Sequence, residues 1–304
     1  MLVLQSALAF AMACLALNLL VGYAGLLSLG HAAYFGIGAY AGAFAFTFFD
    51  VTSFELYLLV GLAAATGLAA VAGALCTRTS GMFFAISTLA VTQAVQSLFV
   101  SGAAFRPFGA HGKGFFLIGD GGLYLPRLSL AGVTPTPERF AGVFYYVVAA
   151  AFVLTGGALW RVVHSPFGLA LQASRDNVLR ATFVGVATRR LRWRAFVIAG
   201  ALAGLAGALS AQVDRQVTPQ QLGWLFSAEM VVATMLGGTR HFFGPVAGAF
   251  LVVALREIAL RVPLYRGLVL GGLLIAVTMV APGGLAGVAS ALAGRLRAWR
   301  RPAR

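Results

Sequence analysis

Few residues in this 304-residue chain have the type and spacing to do chemistry. The stretch GAHGKGFF at 109–116 sets a lysine among glycines, the composition of a phosphate-cradling loop. Gly114 follows Lys113 where a serine or threonine belongs, and Pro107 stands at the place of the first motif glycine, so the stretch is not a nucleotide-binding loop. His31, His111, His164 and His241 lack metal-ligand spacing, and Cys14 and Cys76 lie alone in apolar runs as packing residues. No Ser/His/Asp or Cys/His grouping with an elbow signature occurs, so catalysis on this chain is not expected. A solute moved uphill would draw its energy from another chain or from an ion gradient.

Polar groups inside apolar runs are the remaining candidates, because a bilayer makes them costly. Glu229 lies early in a short apolar stretch, where a carboxylate marks a solute path by default, or else a structural ion pair or a helix end. His31 closes a glycine-broken segment, and it either fixes backbone as a neutral hydrogen-bonded histidine or touches solute. Ser28, Gln93 and Gln96 suit helix-packing hydrogen bonds. Gly237 and Gly238 suit a close helix approach or the end of a span, and Gly30 is one of the glycines that break the segment before His31. Ser28, Gly30, His31, Gln93, Glu229, Gly237 and Gly238 are the candidates for a translocation path.

The elements that must position these groups follow from composition. With 60% hydrophobic and 10% charged residues, the chain has too few polar groups to cover a soluble globule. Its mean hydropathy of +0.91 agrees, and an integral membrane protein is expected. Apolar runs of about 20 residues without period-two alternation favour helices over a barrel, so the fold class is all-α, a polytopic transmembrane helical bundle of about nine spans. GYAGLLSLGH at 22–31 is apolar yet interrupted by glycine, which predicts a re-entrant or broken segment. The glycine- and proline-rich stretch at 102–140 reads as irregular extramembrane structure. One transmembrane domain over 1–287 is expected, then a basic tail at 288–304.

The exception to this apolar pattern is HSPFGLALQASRDNVLRATFVGVATRRLRWR at 164–194, a basic island with Asp176 as its one acid. Ser165 and Pro166 make a helix start, and Gly185 a stop. One helix between them would bring Leu169, Gln172, Ala173, Asp176, Asn177 and Arg180 to a shared face. Such a run is either a solvated face or a surface built to meet another protein. If the island is cytoplasmic, Arg78, Arg240 and the arginine-rich tail fall on its side and carry, with it, most of the 22 basic residues. That asymmetry predicts the amino terminus outside and the carboxyl terminus inside.

Six blocks then carry a resemblance: NLLVGYAGLLSLGHAAYFGIGAYAGA at 18–43, GMFFAISTLAV at 81–91, SPFGLALQASRDNVLRATFVGV at 165–186, FVIAGALAGLAGAL at 196–209, SAEMVVATMLGGTRHFFGPVAGA at 227–249 and PGGLAG at 282–287. In this order they resemble the inner-membrane permease of branched-chain amino acid ABC importers, over most of the chain. The resemblance implies a second, related permease, two cytoplasmic ATPase subunits and a periplasmic binding protein as partners. It implies no cofactor on this chain, with ATP held by the partner subunits, and residence in the bacterial inner membrane. Gly168, Arg175, Asp176, Asn177, Ala181 and Gly185 match the family's loop pattern, so the island would be the segment that couples to an ATPase. Leu26 stands where the family often has glutamine, and FRPFGAHGKGFF after the fourth span matches the usual pattern poorly. Permeases for urea, short amides and other small solutes share the scaffold and remain alternatives, as does a stand-alone carrier using protons through Glu229 and His31.

Overall fold

Backbone amides in hydrocarbon must bond within their own segment, and long apolar helices meet that requirement. The computed structural model describes residues 1–49, 52–101, 122–125 and 137–259, with Gly271, Gly272, Ile275 and Met279. In chain order the helices are α1 (Leu2–Asn18), α2 (His31–Phe49), α3 (Phe54–Cys76), α4 (Met82–Val100), α5 (Pro137–Val163), α6 (Pro166–Asp176), α7 (Val178–Phe183), α8 (Thr188–Asp214), α9 (Trp224–Gly237) and α10 (Gly244–Ala259). A π-helical turn, Leu19–Ala24, extends α1, and a 3₁₀ turn, Pro219–Leu222, precedes α9.

Among the described residues, five segments are long and apolar enough to cross a membrane: Leu2–Ala24, Phe54–Cys76, Met82–Val100, Gly142–Val163 and Thr188–Asp214. Helix α9 has 14 residues, which at about 1.5 Å each falls short of a hydrocarbon core about 30 Å thick. Most of the ninth expected span, the 287/288 boundary, the basic tail and most of 102–140 lie outside the described residues.

Helices α1 and α8 are the buried centre, and α3, α4 and α5 expose most of their length. Small residues bring α2 and α8 into backbone contact: a Cβ on Gly38 would enter the Gly204 carbonyl, and one on Gly207 the Phe35 carbonyl. Without a hydrophobic drive between helices in lipid, close packing of this kind is the main source of cohesion.

Cross-links orient the helices. Trp193 Nε1 donates to Ala70 O at 3.0 Å, so α8 starts beside the end of α3. Ser6 Oγ donates to Asp214 Oδ1 at 3.4 Å, so α1 starts beside the end of α8. Trp160 packs on Phe242, with ring centroids 5.0 Å apart, which brings the end of α5 beside the turn into α10. The bundle therefore has a loop end, carrying 164–187, and a far end, carrying the start of α1 and the ends of α8 and α10.

Two local expectations change. The island is two short helices, because Asn177 adopts extended backbone at φ −156° and its Oδ1 accepts from Arg180 N at 3.0 Å. That cap starts α7 afresh, so the single shared face from Leu169 to Arg180 does not form. Ser165 precedes Pro166 as expected, and Gly185 ends the unit at φ +90°. The strands were not anticipated: Leu123–Tyr124 pairs antiparallel with Gln216–Val217, tying part of the loop after α4 to the far end.

Candidate translocation axis

The glycines at 22, 25 and 30 act through geometry at the break between α1 and α2. Gly25 takes φ +67°, the left-handed conformation that closes a helix, and Leu26 N reaches back to Leu20 O at 2.8 Å. Beyond it the chain runs irregularly to His31, and side-chain hydroxyls from other helices satisfy its backbone. Leu29 N donates to Thr88 Oγ1 at 3.1 Å, and Thr92 Oγ1 donates to Leu29 O at 3.3 Å. Ala32 N donates to Ser227 Oγ at 2.9 Å, which fastens the start of α2 to α9. Irregular backbone at membrane depth survives only where protein supplies such partners.

Ser28 and His31 are buried inside this segment. Ser28 Oγ accepts from Gly30 N at 3.3 Å and lies 3.1 Å from His31 Nδ1. The His31 ring meets Tyr34 edge-on at 5.9 Å, and its Nε2 is buried without a hydrogen-bond partner among the described residues. Gly30 lies against Thr88, where a Cβ would come within 3.1 Å of both Thr88 Cβ and Thr88 O.

The loop end is joined to this break by Arg175. Its Nη1 donates to the Gly22 carbonyl in the π-helical turn at 2.6 Å, and its Nη2 lies 2.9 Å from Asp176 Oδ1. A cation there satisfies a carbonyl left open at a helix C-terminus and complements the negative end of the dipole. Any side chain at Gly25 would meet Arg175, since a Cβ would lie 2.6 Å from its Cγ. Gly168 packs on the Val163 carbonyl, Ala181 is buried, and Asn177 caps α7. Arg175 thus links the island to the broken helix.

At the far end a cavity of about 1020 Å³ opens between α1, α8, α9 and α10. Glu229 lies on its wall and accepts from Arg256 Nη2 at 2.6 Å; Glu229 is 18% exposed and Arg256 41%. The Arg256 guanidinium also stands 5.7 Å from the Phe10 ring centroid and 6.0 Å from that of Phe226. Phe226 contacts Phe35 at 5.1 Å, so these aromatic rings lie between the cavity and the start of α2.

The expected path residues therefore divide. Ser28, Gly30 and His31 form the break, and Glu229 lines the cavity. Gln93 is exposed, while Gln96 lines the cavity instead. Gly237 and Gly238 lie at the tight turn between α9 and α10, where a Cβ on Gly237 would enter the Gly244 carbonyl and Gly238 takes φ +101°. Sequence reasoning missed Arg256 and Asp214 as cavity groups; the adjacent charges Arg256 and Glu257 at the end of an apolar helix were the available signal.

Long apolar helices around a broken central helix, with a basic loop bonded to the break, define a polytopic membrane permease. Residues 1–278 match the family described as "Branched-chain amino acid transport system / permease component", and the chain belongs to that family. It is 30% identical over 285 residues to "High-affinity branched-chain amino acid transport system permease protein LivM" of Escherichia coli (strain K12), covering 89% of this chain and 66% of that protein. The same identity and coverage hold for the LivM protein of Salmonella typhimurium. It is also 30% identical over 178 residues to "Autoinducer 2 import system permease protein LsrC" of Klebsiella pneumoniae, covering 54% of this chain and 51% of that protein. The chain thus spans just under two thirds of the length of the LivM permeases it matches. No solved structure matches it.

Proposed function

We propose that the chain is the membrane-spanning subunit of an ATP-driven importer for branched-chain amino acids, and that it provides the translocation path without hydrolysing ATP itself. The observation that carries this reading is the Arg175 to Gly22 bond, which joins a loop suited to an external partner to the break in the central helix. The name of the LivM relatives supports the substrate class, and that of the LsrC relatives keeps a different small solute as the second reading. The partners are a related permease, two ATPase subunits that hold the ATP, and a periplasmic binding protein. The chain lies in the bacterial inner membrane in about nine spans, with the amino terminus outside and the carboxyl terminus cytoplasmic.

The mechanism follows from the placement of the groups. Helix α7 and its C-cap present Leu179, Phe183 and Val184 at 70%, 89% and 84% exposure on an otherwise basic loop, the mark of a docking surface. An ATPase seated there moves α6 and α7 on closure, and Arg175 passes that displacement to Gly22 and the π-helical turn. Ser28, His31, Thr88 and Ser227 hold the break through side-chain bonds, so a shift at Gly22 changes how α2 and α9 meet. Coupling needs the ATPase states to contact the island differently, because only differential interaction moves such an equilibrium.

Uptake of labelled leucine into proteoliposomes tests this, with the chain alone and then with all partners, with and without internal ATP. Uptake only by the full assembly with ATP is the expected result. Uptake by the lone chain that follows a proton gradient and is uncoupled by Glu229→Gln would replace the importer reading with a secondary carrier.

A further inference from the structure

We infer that the far-end cavity recognises a zwitterionic α-amino acid, its ammonium group between Asp214 and Glu229 and its carboxylate on Arg256; this deepens the importer reading and rests on it. The charged side chains lining the cavity are Asp214, Glu229, Glu257 and Arg256. In a chain of net charge +14 with only 8 acids, three acids facing one arginine make this a locally negative site. Apolar walls strengthen every interaction inside it. Anions are repelled, and a molecule with both charges fits the set.

Each end of such a ligand meets groups with free capacity. Arg256 has five N–H donors, and Glu229 engages it through one oxygen at 2.6 Å. Placed over the Phe10 and Phe226 rings, the guanidinium keeps donors for a second carboxylate. Among the described residues Asp214 accepts from neutral hydroxyls, at 3.4 Å from Ser6 and 3.3 Å from Ser210, both long for O–H donors. Phe10, Phe35, Phe226, Val232 and Val253 supply the apolar wall for an aliphatic side chain. A neutral polyol would leave the charged groups unmatched, so the site favours an apolar amino acid over a sugar-like solute.

Protection of an introduced thiol tests the site. Ala228→Cys puts a reactive group on the cavity wall, and the native Cys14 and Cys76 are buried. Leucine at about ten times its Kd should slow labelling by a polar thiol reagent about tenfold. The probes 4-methylpentanoate, which lacks the ammonium group, and 3-methylbutylamine, which lacks the carboxylate, should protect little at equal concentration. Asp214→Asn and Arg256→Gln should each abolish protection by leucine, read as the ratio of each variant's own labelling rates with and without leucine, and Asp214→Glu should restore part of it. Protection that survives those substitutions, or equal protection by the amine, overturns the site. Leucine uptake by the complete assembly is measured in parallel. ATP-driven uptake without protection refutes this site and leaves the importer reading standing, and protection without uptake refutes the importer reading and leaves the site.

Discussion

Replacing Arg175 by alanine removes a direct bond from the island to the broken helix, so its effect is the sharpest test of the coupling mechanism. A hydrogen bond from a charged donor is worth about 1.5–3 kcal/mol. The Arg175 side chain is 38% exposed, which puts this bond at the lower end, about 1.5 kcal/mol. Its neighbour Asp176 is 67% exposed, and the ion pair between them adds little. If that bond is made in one transport state and broken in the other, its loss changes the equilibrium between them about tenfold. In the reconstituted assembly, ATP hydrolysis stimulated by the loaded binding protein and uptake per ATP should fall by that factor in Arg175→Ala, with basal hydrolysis unchanged. Arg175→Lys, which keeps the charge and loses the fork, should fall between, and Asp176→Asn should change coupling less than either. The thermal midpoint of the purified chain serves as the folding control. A properly folded Arg175→Ala assembly that moves leucine with the parental ratio of transport to hydrolysis would show that force reaches the break by another route.

Other positions give independent checks. Gly207→Ala forces a methyl group into the Phe35 carbonyl, and a backbone atom cannot step aside as a side chain can, so a loss of about 1–3 kcal/mol is expected as a lower thermal midpoint in detergent. Gly67→Ala, which meets nothing within 4 Å, should leave that midpoint unchanged or raised; the reverse order of the two variants would contradict the packing of α2 on α8. Asn177→Ala removes the cap of α7 at a cost of about 1 kcal/mol, so amide exchange over 178–183 should quicken about fivefold, and unaltered exchange would mean that the docked loop does not depend on the cap. Ser227→Ala leaves Ala32 N without its partner at the start of α2, and a drop in midpoint of the kind expected for a buried orphan amide is predicted; a stable variant would show that α2 is held at its start by packing alone.

Hydropathy, charge and glycine spacing were enough to read an all-α membrane protein, a break near 22–31, the start and stop of the basic loop, and the small-residue turn at Gly237 and Gly238. Each is a property of one segment in its solvent: a run of apolar residues is excluded from water, and a glycine without Cβ bends where others resist, whatever lies elsewhere in the chain. The split of the island at Asn177 was local too, but an asparagine inside a helical pattern has two local choices, and capping prevailed over continuation. What no segment contains is who meets whom. Arg175 and Gly22 are 153 residues apart, Ser6 and Asp214 are 208 apart, and Glu229 finds Arg256 across the turn between two helices. An isolated Glu229 reads equally as a path residue or a structural ion; only the packing of α9 on α10 pairs it, and only the gap left between α1, α8 and that pair makes it part of a cavity. The sequence determined that long apolar helices form and that the chain breaks between the first two of them, because those outcomes depend on each segment's own contact with water or lipid. The tertiary structure alone decided which polar groups share a site, because a buried charge takes its partner from whatever the packed helices bring within about 3 Å of it.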